Sequence, residues 1–475
     1  MPIFNLGGKQ MERKNAWKKY SKEQIEEIFE FCEDYKDFIS NCKTERECVT
    51  EAVRMAEQSG YKNLNTCIEN NTALKAGDKV YINYMGKAIA LFQLGTQPLE
   101  KGMNILGAHI DSPRIDLKQN PLYEDTDIAL LDTHYYGGIK KYQWVTLALA
   151  LHGVVAKKDG TLVNIVIGED DNDPVVGISD LLAHLSADQM AKKASVVIEG
   201  EDLNVCVGSM PLLGNSEETK NEKELVKANI LAILKEKYDI EEEDFLSAEI
   251  EVVPAGKARD YGLDRSMIFG YGQDDRVCAY TSLAAMLQIE KTERTNVCLL
   301  VDKEEIGSVG ATGMHSRFFE NALAEVMNLM GDYSELKVRR ALANSKMLSS
   351  DVSAAYDPNY GSVMEKKNSA YFGRGIVFNK YTGARGKSGS NDANAEYLGE
   401  LRRIMDKHGV NFQTAELGKV DQGGGGTIAY ILAQYGMEVI DSGVALHNMH
   451  APWEISSKVD VYEAMRGYEA FLLEA

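Results

Sequence analysis

The most restrictive feature of the sequence is a regular alternation of helix-like and strand-like segments after residue 262. Helices are predicted at 277–289, 318–330, 391–408, 426–435 and 460–473, and strands at 295–301, 346–350 and 437–440. Such alternation favours a parallel sheet with helices on both faces, because each connection between parallel strands returns through a helix. The expected fold class is therefore α/β, with a mainly parallel central sheet.

The chain before residue 262 shows two further patterns. Two helices are predicted between residues 20 and 60, the first opened by a capping box of Ser21 and Gln24, and strands follow at 79–85, 88–91 and 103–110. The middle of the chain has strand-like runs at 143–156, 162–167 and 195–198 and a charged stretch at 215–227. Because 475 residues exceed what one core holds, we expect an α/β domain formed by residues 1–115 and 261–475 and a β-rich domain, 116–260, inserted into it.

The charge balance argues against several classes of partner. The formal net charge is −20, which suits neither the phosphates of nucleic acids nor an anionic membrane surface. The seven cysteines include no CxxC pair, so reduced thiols are expected. The sequence shows no secretory signal and no uncharged apolar window of about 18 residues. We therefore expect a cytoplasmic protein without a nucleic-acid or membrane partner.

Polar clusters follow several predicted strands at the point where each strand ends. They are His109-Ile110-Asp111, Asp302 to Glu305, Ser350-Asp351 and His447 to His450, and Asp274-Asp275 precedes a helix. Each cluster alone has an ordinary explanation, such as acids at a helix N-terminus or a half-exposed strand end. Ligands of open α/β sheets bind at the carboxyl ends of the strands, so the five clusters together indicate one site.

The residue types in these clusters are typical of a hydrolytic metal centre. Imidazole and carboxylate ligands without thiolate suit catalytic zinc, manganese or cobalt. A two-metal site needs a bridging carboxylate, about two further ligands for each metal and a free carboxylate as base. The clusters contain enough histidine and acid for all of these, so they predict a two-metal hydrolase.

Five longer motifs resemble those of the aspartyl aminopeptidase family of zinc metallo-aminopeptidases, in the family's order and across essentially the whole chain. They are GAHIDSPR (107–114), GQDDRV (272–277), DKEEIGS (302–308), SSDVSAAYDPNY (349–360) and MHAPWE (449–454). The ligand series alone also fits related families such as the glutamyl aminopeptidases. The sequence around these ligands, including GGIKKYQW (137–144), favours the aspartyl aminopeptidase family. The resemblance implies a zinc-peptidase α/β fold with an inserted β-rich dimerisation domain.

The resemblance also implies a role for each residue of the site. The metal ligands it implies are His109 and Asp351 on one zinc, Glu305 and His450 on the other, and Asp274 bridging both. Asp111 steadies His109, and Glu304 is the general base that activates the bridging water. The implied enzyme removes the N-terminal residue of peptides with two zinc ions per subunit, which Co²⁺ or Mn²⁺ could replace. The implied assembly is a dimer-based dodecamer.

Two positions differ from the family pattern. The family has a histidine three residues after the metal-binding Asp, and this chain has Ala354 there. A second histidine, which enters the site from a partner subunit, aligns with Asp180 in ISDLLAHL (178–185), while His184 matches a different family position. Both changes remove partners for a substrate carboxylate, so we expect a neutral or basic first residue rather than a strictly acidic one.

Three other readings of the sequence are weaker. GARGKSGS (383–390) resembles a phosphate loop, but Tyr381 occupies the place of its first glycine. A glycoside hydrolase would need paired carboxylates but not His109 and His450. A non-catalytic metal-binding protein would be favoured if a ligand were missing, and none is.

The run of glycines at 423–426 could bind an anion through its backbone N–H groups or let a loop pass close to the substrate.

Overall fold

The computed structural model describes residues 14–214, 223–383 and 385–475. Its helices are α1 (Lys22–Asn41), α2 (Glu45–Gln58), α3 (Leu64–Glu69), α4 (Ala187–Met190), α5 (Leu225–Tyr238), α6 (Gln273–Gln288), α7 (Phe318–Leu329), α8 (Glu335–Ala343), α9 (Ala395–His408), α10 (Ala429–Ala433) and α11 (Lys458–Glu474). Its strands are β1 (Lys62–Asn63), β2 (Lys79–Tyr84), β3 (Ala88–Gln93), β4 (Met103–His109), β5 (Arg114–Asp125), β6 (Ile128–Tyr136), β7 (Leu149–Ala156), β8 (Leu162–Ile167), β9 (Val205–Gly208), β10 (Ala248–Pro254), β11 (Arg259–Tyr261), β12 (Met267–Gly270), β13 (Thr295–Val301), β14 (Lys346–Ser349), β15 (Ser353–Ala354), β16 (Ile376–Asn379), β17 (Phe412–Thr414), β18 (Glu438–Gly443), β19 (Ala445–His447) and β20 (Glu454–Ser457). The fold is mixed α/β with several sheets.

The largest sheet has nine strands in the order β1-β2-β3-β13-β4-β14-β18-β16-β17. Its middle strands β13, β4, β14 and β18 run parallel, whereas β3 and β16 are antiparallel to their central neighbours. Alternate residues of β4 enter two separate cores, Leu106 and Ala108 on one face and Met103 and Ile105 on the other. The parallel strands therefore end together at one edge, between two helical layers.

Two smaller sheets complete the described fold. The strands β8-β7-β10-β5-β6-β9 form an antiparallel sheet with its own core around Trp144, built from residues between Arg114 and Pro254. The strands β11-β12-β20-β19-β15 form a third sheet. No helix in the described ranges has the length and apolar character needed to span a bilayer.

Most of the predicted elements are present, and some of their bounds differ. The Ser21–Gln24 capping box is confirmed. The predicted strand at 195–198 is wrong: Ala194–Val196 forms a 3₁₀ turn closed by a Val196 N–H to Lys193 O bond of 2.9 Å. The strand predicted at 143–156 begins only at Leu149, because the chain turns through Thr146 with φ of 61°. Residues 215–222 of the charged stretch lie outside the described residues.

The helices predicted at 391–408 and 426–435 are shorter than expected at their starts. The first begins at Ala395 and the second covers only Ala429–Ala433. Before the first helix, the Asn391 amide donates to the Val439 carbonyl at 2.6 Å, which ties that segment to the sheet in a non-helical conformation. The stretch before the second helix is the glycine run, which has little helix propensity.

Candidate metal centre

His109 is the last residue of β4, at the sheet edge where the parallel strands end. Its ring is buried, and Nδ1 lies 3.0 Å from the backbone oxygen and 3.3 Å from Oδ1 of Asp111. Nε2 lies 3.3 Å from Oδ1 of Asp274. With Nδ1 held by Asp111, Nε2 is the nitrogen available to a metal ion, which is a common arrangement for a ligating histidine.

Asp274 stands between the two histidines of the predicted set. Its Oδ1 faces His109, and its Oδ2 lies 3.2 Å from Nε2 of His450. Its backbone is held from both sides, because its N–H donates to Glu454 Oε2 at 3.0 Å and its carbonyl accepts from the Ser112 hydroxyl at 2.7 Å. One carboxylate therefore reaches both sides of the site. The Asp274–Asp275 peptide bond is cis.

Glu304 and Glu305 lie in a short turn after β13. The turn opens at Lys303 with φ of 67°, and the N–H groups of Glu304 and Glu305 donate to the two carboxylate oxygens of Asp111 at 3.1 and 3.2 Å. Glu304 Oε2 lies 3.9 Å from His109 Nε2, and Glu305 Oε1 lies 3.6 Å from His450 Nε2. The two glutamates thus approach different histidines, and Asp111 holds both His109 and this turn.

Asp351 follows β14 at the same sheet edge. Potential ligand atoms of His109, Asp275 and Asp351 lie within 4.8 Å of one another, and so do those of His109, Asp274 and Glu305. Asp275 was not among the predicted ligands. Its Oδ2 accepts the His109 backbone N–H at 3.4 Å, so it supports the same histidine from the peptide side.

The electrostatics of this cluster fit a bound cation. Burial and the charge of Asp275 raise the pKa of Asp351 well above its usual range, and burial and the charge of Asp274 do the same for Glu305. Burial, with the charges of Asp111 and Asp274, raises the pKa of Glu304 to about 7. The buried Oε1 of Glu305 has no hydrogen-bond partner among the described residues. Divalent ions would offset this crowded negative charge, and the oxygen and imidazole donors suit zinc.

All five predicted ligands and Glu304 line one cavity of about 430 Å³, whereas Asp111 lies fully buried behind it. Other parts of its wall come from Val352, Leu417, Tyr430 and Met449 and from the backbone of 424–426. Among the described residues that line it, none is a lysine or an arginine. The cavity therefore offers carboxylates and imidazoles for metal beside a partly apolar surface.

Comparison with known proteins identifies the family. The sequence profile described as "Aminopeptidase I zinc metalloprotease (M18)" matches residues 38–472. The "Probable M18 family aminopeptidase 1" of Clostridium acetobutylicum is 68% identical over 97% of this chain and 98% of that protein. The chain belongs to the M18 family of zinc metallo-aminopeptidases. It is thus a metallo-aminopeptidase, and the resemblance to the aspartyl aminopeptidases, which form this family, is confirmed.

Solved structures agree with the M18 fold. The crystal structure of the M18 aminopeptidase from Thermotoga maritima matches with a TM-score of 0.92 and 46% identity over 98% of this chain and 100% of that one. The structure of the S. cerevisiae mApe1 dodecamer matches with a TM-score of 0.74 over 93% of this chain and 96% of that one; at 20% identity, the likeness shows the fold alone.

The structure also shows where the remaining candidate residues of this M18 chain lie. Ala354 follows the cavity-lining Val352 and Ser353, whereas Asp180 is exposed and lines a different cavity with Tyr142 and Met190. His184 is likewise exposed. Lys387 of the phosphate-loop-like segment pairs with Asp392 at 2.8 Å, and neither residue lines the cavity of the candidate ligands.

One functional neighbour of the site is absent from the predicted set. Glu454, buried at the start of β20, accepts the N–H of His450 at 2.9 Å and that of Asp274 at 3.0 Å. It ends the MHAPWE motif that carries the family resemblance, and that position was the available signal. Its partners are backbone groups, which no side-chain pattern reveals.

Proposed function

We propose that this M18 chain is a two-zinc aminopeptidase that removes the N-terminal residue of peptides. The observation that carries the proposal is the position of Asp274, whose two carboxylate oxygens face His109 and His450 separately. In this assignment His109 and Asp351 would hold one zinc, Glu305 and His450 would hold the other, and Asp274 would be shared between the two. Two zinc ions held there supply Lewis-acid chemistry that activates water and polarises the scissile carbonyl. The same donors could take Co²⁺ or Mn²⁺.

Glu304 is the general base in this proposal. It lines the cavity beside His109, with its Oε2 3.9 Å from His109 Nε2, where its carboxylate can accept a proton from a water in the site. Glu304 takes a proton from the attacking water and delivers it to the departing amine. Asp111 acts through its neighbours, since it orients His109 and holds the backbone of the Glu304–Glu305 turn.

Glu304→Gln tests the base. Glutamine keeps the shape but cannot accept the proton, so we expect kcat to fall by about 10²–10⁴-fold while two zinc ions per chain remain bound. Glu305→Gln is the matched control, because it should lose zinc as well as activity. Chelation should abolish activity in the wild type, and added zinc should restore it. A Glu304→Gln enzyme with two zinc ions and near-normal turnover would refute the assignment.

The preferred first residue is proposed to be neutral or basic. The part of the cavity wall that the structure describes has no lysine or arginine to bind an acidic side chain, and Ala354 stands where the family has a histidine. Asp180 would repel a carboxylate if it entered a neighbouring site. A panel of aminoacyl-anilides checks this preference: kcat/KM for Leu, Met or Lys should exceed that for Asp and Glu. Faster cleavage of the acidic members would overturn the proposal.

The remaining proposals concern organisation. We place the inserted dimerisation domain at 116–260, between the two catalytic parts 1–115 and 261–475, and propose a homo-oligomer built from dimers, up to a dodecamer. Exposed apolar side chains within 116–260, such as Leu182, Leu185 and Met190, support a contact surface there.

Peptides are the proposed substrates. A net charge of −20 argues against nucleic-acid or membrane partners, and six of the seven free cysteines are buried, in keeping with a reducing cytoplasm.

A further inference from the structure

The glycine run before α10 forms part of the wall of the candidate active-site cavity. Gly424, Gly425 and Gly426 line the same space as Glu304 and His450. Because glycine has no side chain, this section of the wall consists of backbone atoms only. The proposed zinc site is therefore bordered by a strip of bare main chain.

The backbone conformation does not explain glycine at two of these positions. Gly424 has a positive φ of 139°, but neither Gly425 nor Gly426 has a positive φ. A Cβ atom added at Gly425 or Gly426 would meet no heavy atom within 4 Å, whereas one added at Gly423 would lie 2.2 Å from the Leu417 carbonyl oxygen. Packing thus requires glycine at 423 but not at 425 or 426, where the missing side chains leave open space.

The loop is anchored on its other side. The Gly425 carbonyl accepts the Gly383 N–H at 2.7 Å, and the Thr427 hydroxyl donates to Asp441 Oδ1 at 2.7 Å. By contrast, the N–H groups of Gly424, Gly425 and Gly426 have no hydrogen-bond acceptor among the described residues. An anchored loop with free N–H donors beside a cavity can donate hydrogen bonds to the carbonyl groups of an extended peptide.

We propose that the Gly424–Gly426 strip binds the main chain of the peptide substrate, and that glycine at 425 and 426 keeps the channel open for it. The inference rests on the proposed aminopeptidase function. The free N–H donors hold the peptide beside the zinc ligands, so the loop contributes to binding and positioning rather than to the proton transfers. Any side chain larger than hydrogen at 425 or 426 occupies the volume that the peptide needs.

The test uses the full-length zinc enzyme and the tripeptide Leu-Gly-Gly. We expect Gly425→Val and Gly426→Val to raise KM at least tenfold, and the two alanine variants to raise it less. Zinc content and melting temperature should stay at wild-type values. Gly399→Val is the control: Gly399 is exposed on α9, without a positive φ and with no heavy atom near a new Cβ, so its KM should not change.

The outcomes separate this inference from the function on which it rests. If the wild type does not hydrolyse Leu-Gly-Gly in a zinc-dependent way, the proposed function fails before any variant is compared. If the wild type is active and both valine variants keep its KM, the loop does not bind substrate and the inference is wrong. A loss of zinc or of thermal stability that accounts for the lost activity would also overturn it, because it would show a structural role.

Discussion

At the scale of single residues, the carboxylate of Glu454 connects the two chain segments that carry Asp274 and His450. Each of its oxygens accepts one backbone N–H, at 3.0 and 2.9 Å, and the side chain is 1% exposed. His450 has φ of 66°, a conformation uncommon for residues other than glycine. These two hydrogen bonds hold the turn and fix the spacing of the two candidate ligands.

Glu454→Gln should therefore weaken zinc binding. Glutamine has one acceptor oxygen, so either the His450 or the Asp274 N–H loses its partner and the ligands drift apart. Mutation of groups that orient metal ligands typically costs 10–100-fold in affinity, and we expect that range for the zinc dissociation constant, measured by competition with a chromophoric chelator. Unchanged zinc affinity would show that Glu454 is merely structural.

Asp460→Asn is the matched control for that measurement. Asp460 is also a fully buried carboxylate that accepts backbone N–H groups, from Gly373 and Gly375 at 2.7 Å each, but it serves segments without candidate ligands. Burial raises the pKa of Asp460 to about 7. The control variant should change thermal stability and leave the zinc dissociation constant unaltered.

The residues that the sequence could reveal are those whose side chains are proposed to perform the chemistry. His109, Glu305, Asp351 and His450 follow strands and Asp274 opens a helix, all within recognisable motifs, so their types and order were sufficient to propose them. Glu454 and Asp275 act on backbone groups of these ligands. Asp274 and Glu454 are 180 positions apart, and a bond between a distant carboxylate and a main-chain N–H leaves no local pattern.

At the scale of elements, the buried strands of the central sheet were predictable because they are continuous apolar runs with polar ends. The strand predicted at 295–301 has those bounds in the structure. The third sheet was not predictable, since β15 has two residues and β19 three, and its order depends on pairing between distant segments. The segment 195–198 contains β-branched residues, which led to the strand prediction. In the structure its first residues belong to a local 3₁₀ turn in which Val196 is half exposed.

A buried histidine joins helix α2 to the antiparallel sheet. On β7, His152 Nδ1 lies 2.8 Å from Glu47 Oε1 of α2, and Nε2 lies 3.0 Å from Glu169 Oε1, just after β8. Burial alone would lower the pKa of His152, but the hydrogen bonds that its ring donates to Glu169 and Glu47 outweigh it and raise that pKa above 6.5. The protonated ring therefore bridges two carboxylates.

This bridge predicts a pH-dependent contribution to stability. Because the folded state raises the His152 pKa, its contribution is fully present below pH 6.5 and is lost as pH rises through the higher folded value. His152→Gln removes the charge, so it should cost about 2 kcal/mol near pH 6 and much less at pH 9, by analogy with hydrogen bonds to charged groups. Denaturant unfolding of both proteins at the two pH values measures the difference. An equal cost at both would rule out the charge as the source.

At the scale of the whole molecule, a cluster of apolar side chains faces outward from the segment between β8 and β9. Leu182, Leu185 and Met190 are 54%, 67% and 72% exposed, in a chain that is otherwise highly acidic. The sequence analysis assigned this segment to the proposed inserted domain but could not show which of its side chains remain outside the core. Exposed apolar side chains so near one another in the sequence favour a contact with another protein surface, and Asp180 lies within the same segment.

The last prediction follows from that surface. A Leu182→Glu, Leu185→Glu double variant should dissociate the assembly, because it would bury two charges in an apolar contact. Light scattering should give a mass well above 52.6 kDa for the wild type and a value near it for the variant. Leu263→Glu, at a fully exposed leucine outside this segment, should leave the mass unchanged.

If Asp180 contributes to a neighbouring subunit's cavity, the dissociated variant should also lose activity while it retains zinc. A monomeric wild type at micromolar concentration would contradict the proposed assembly, and a dissociated but fully active variant would show that each cavity is complete without its neighbour.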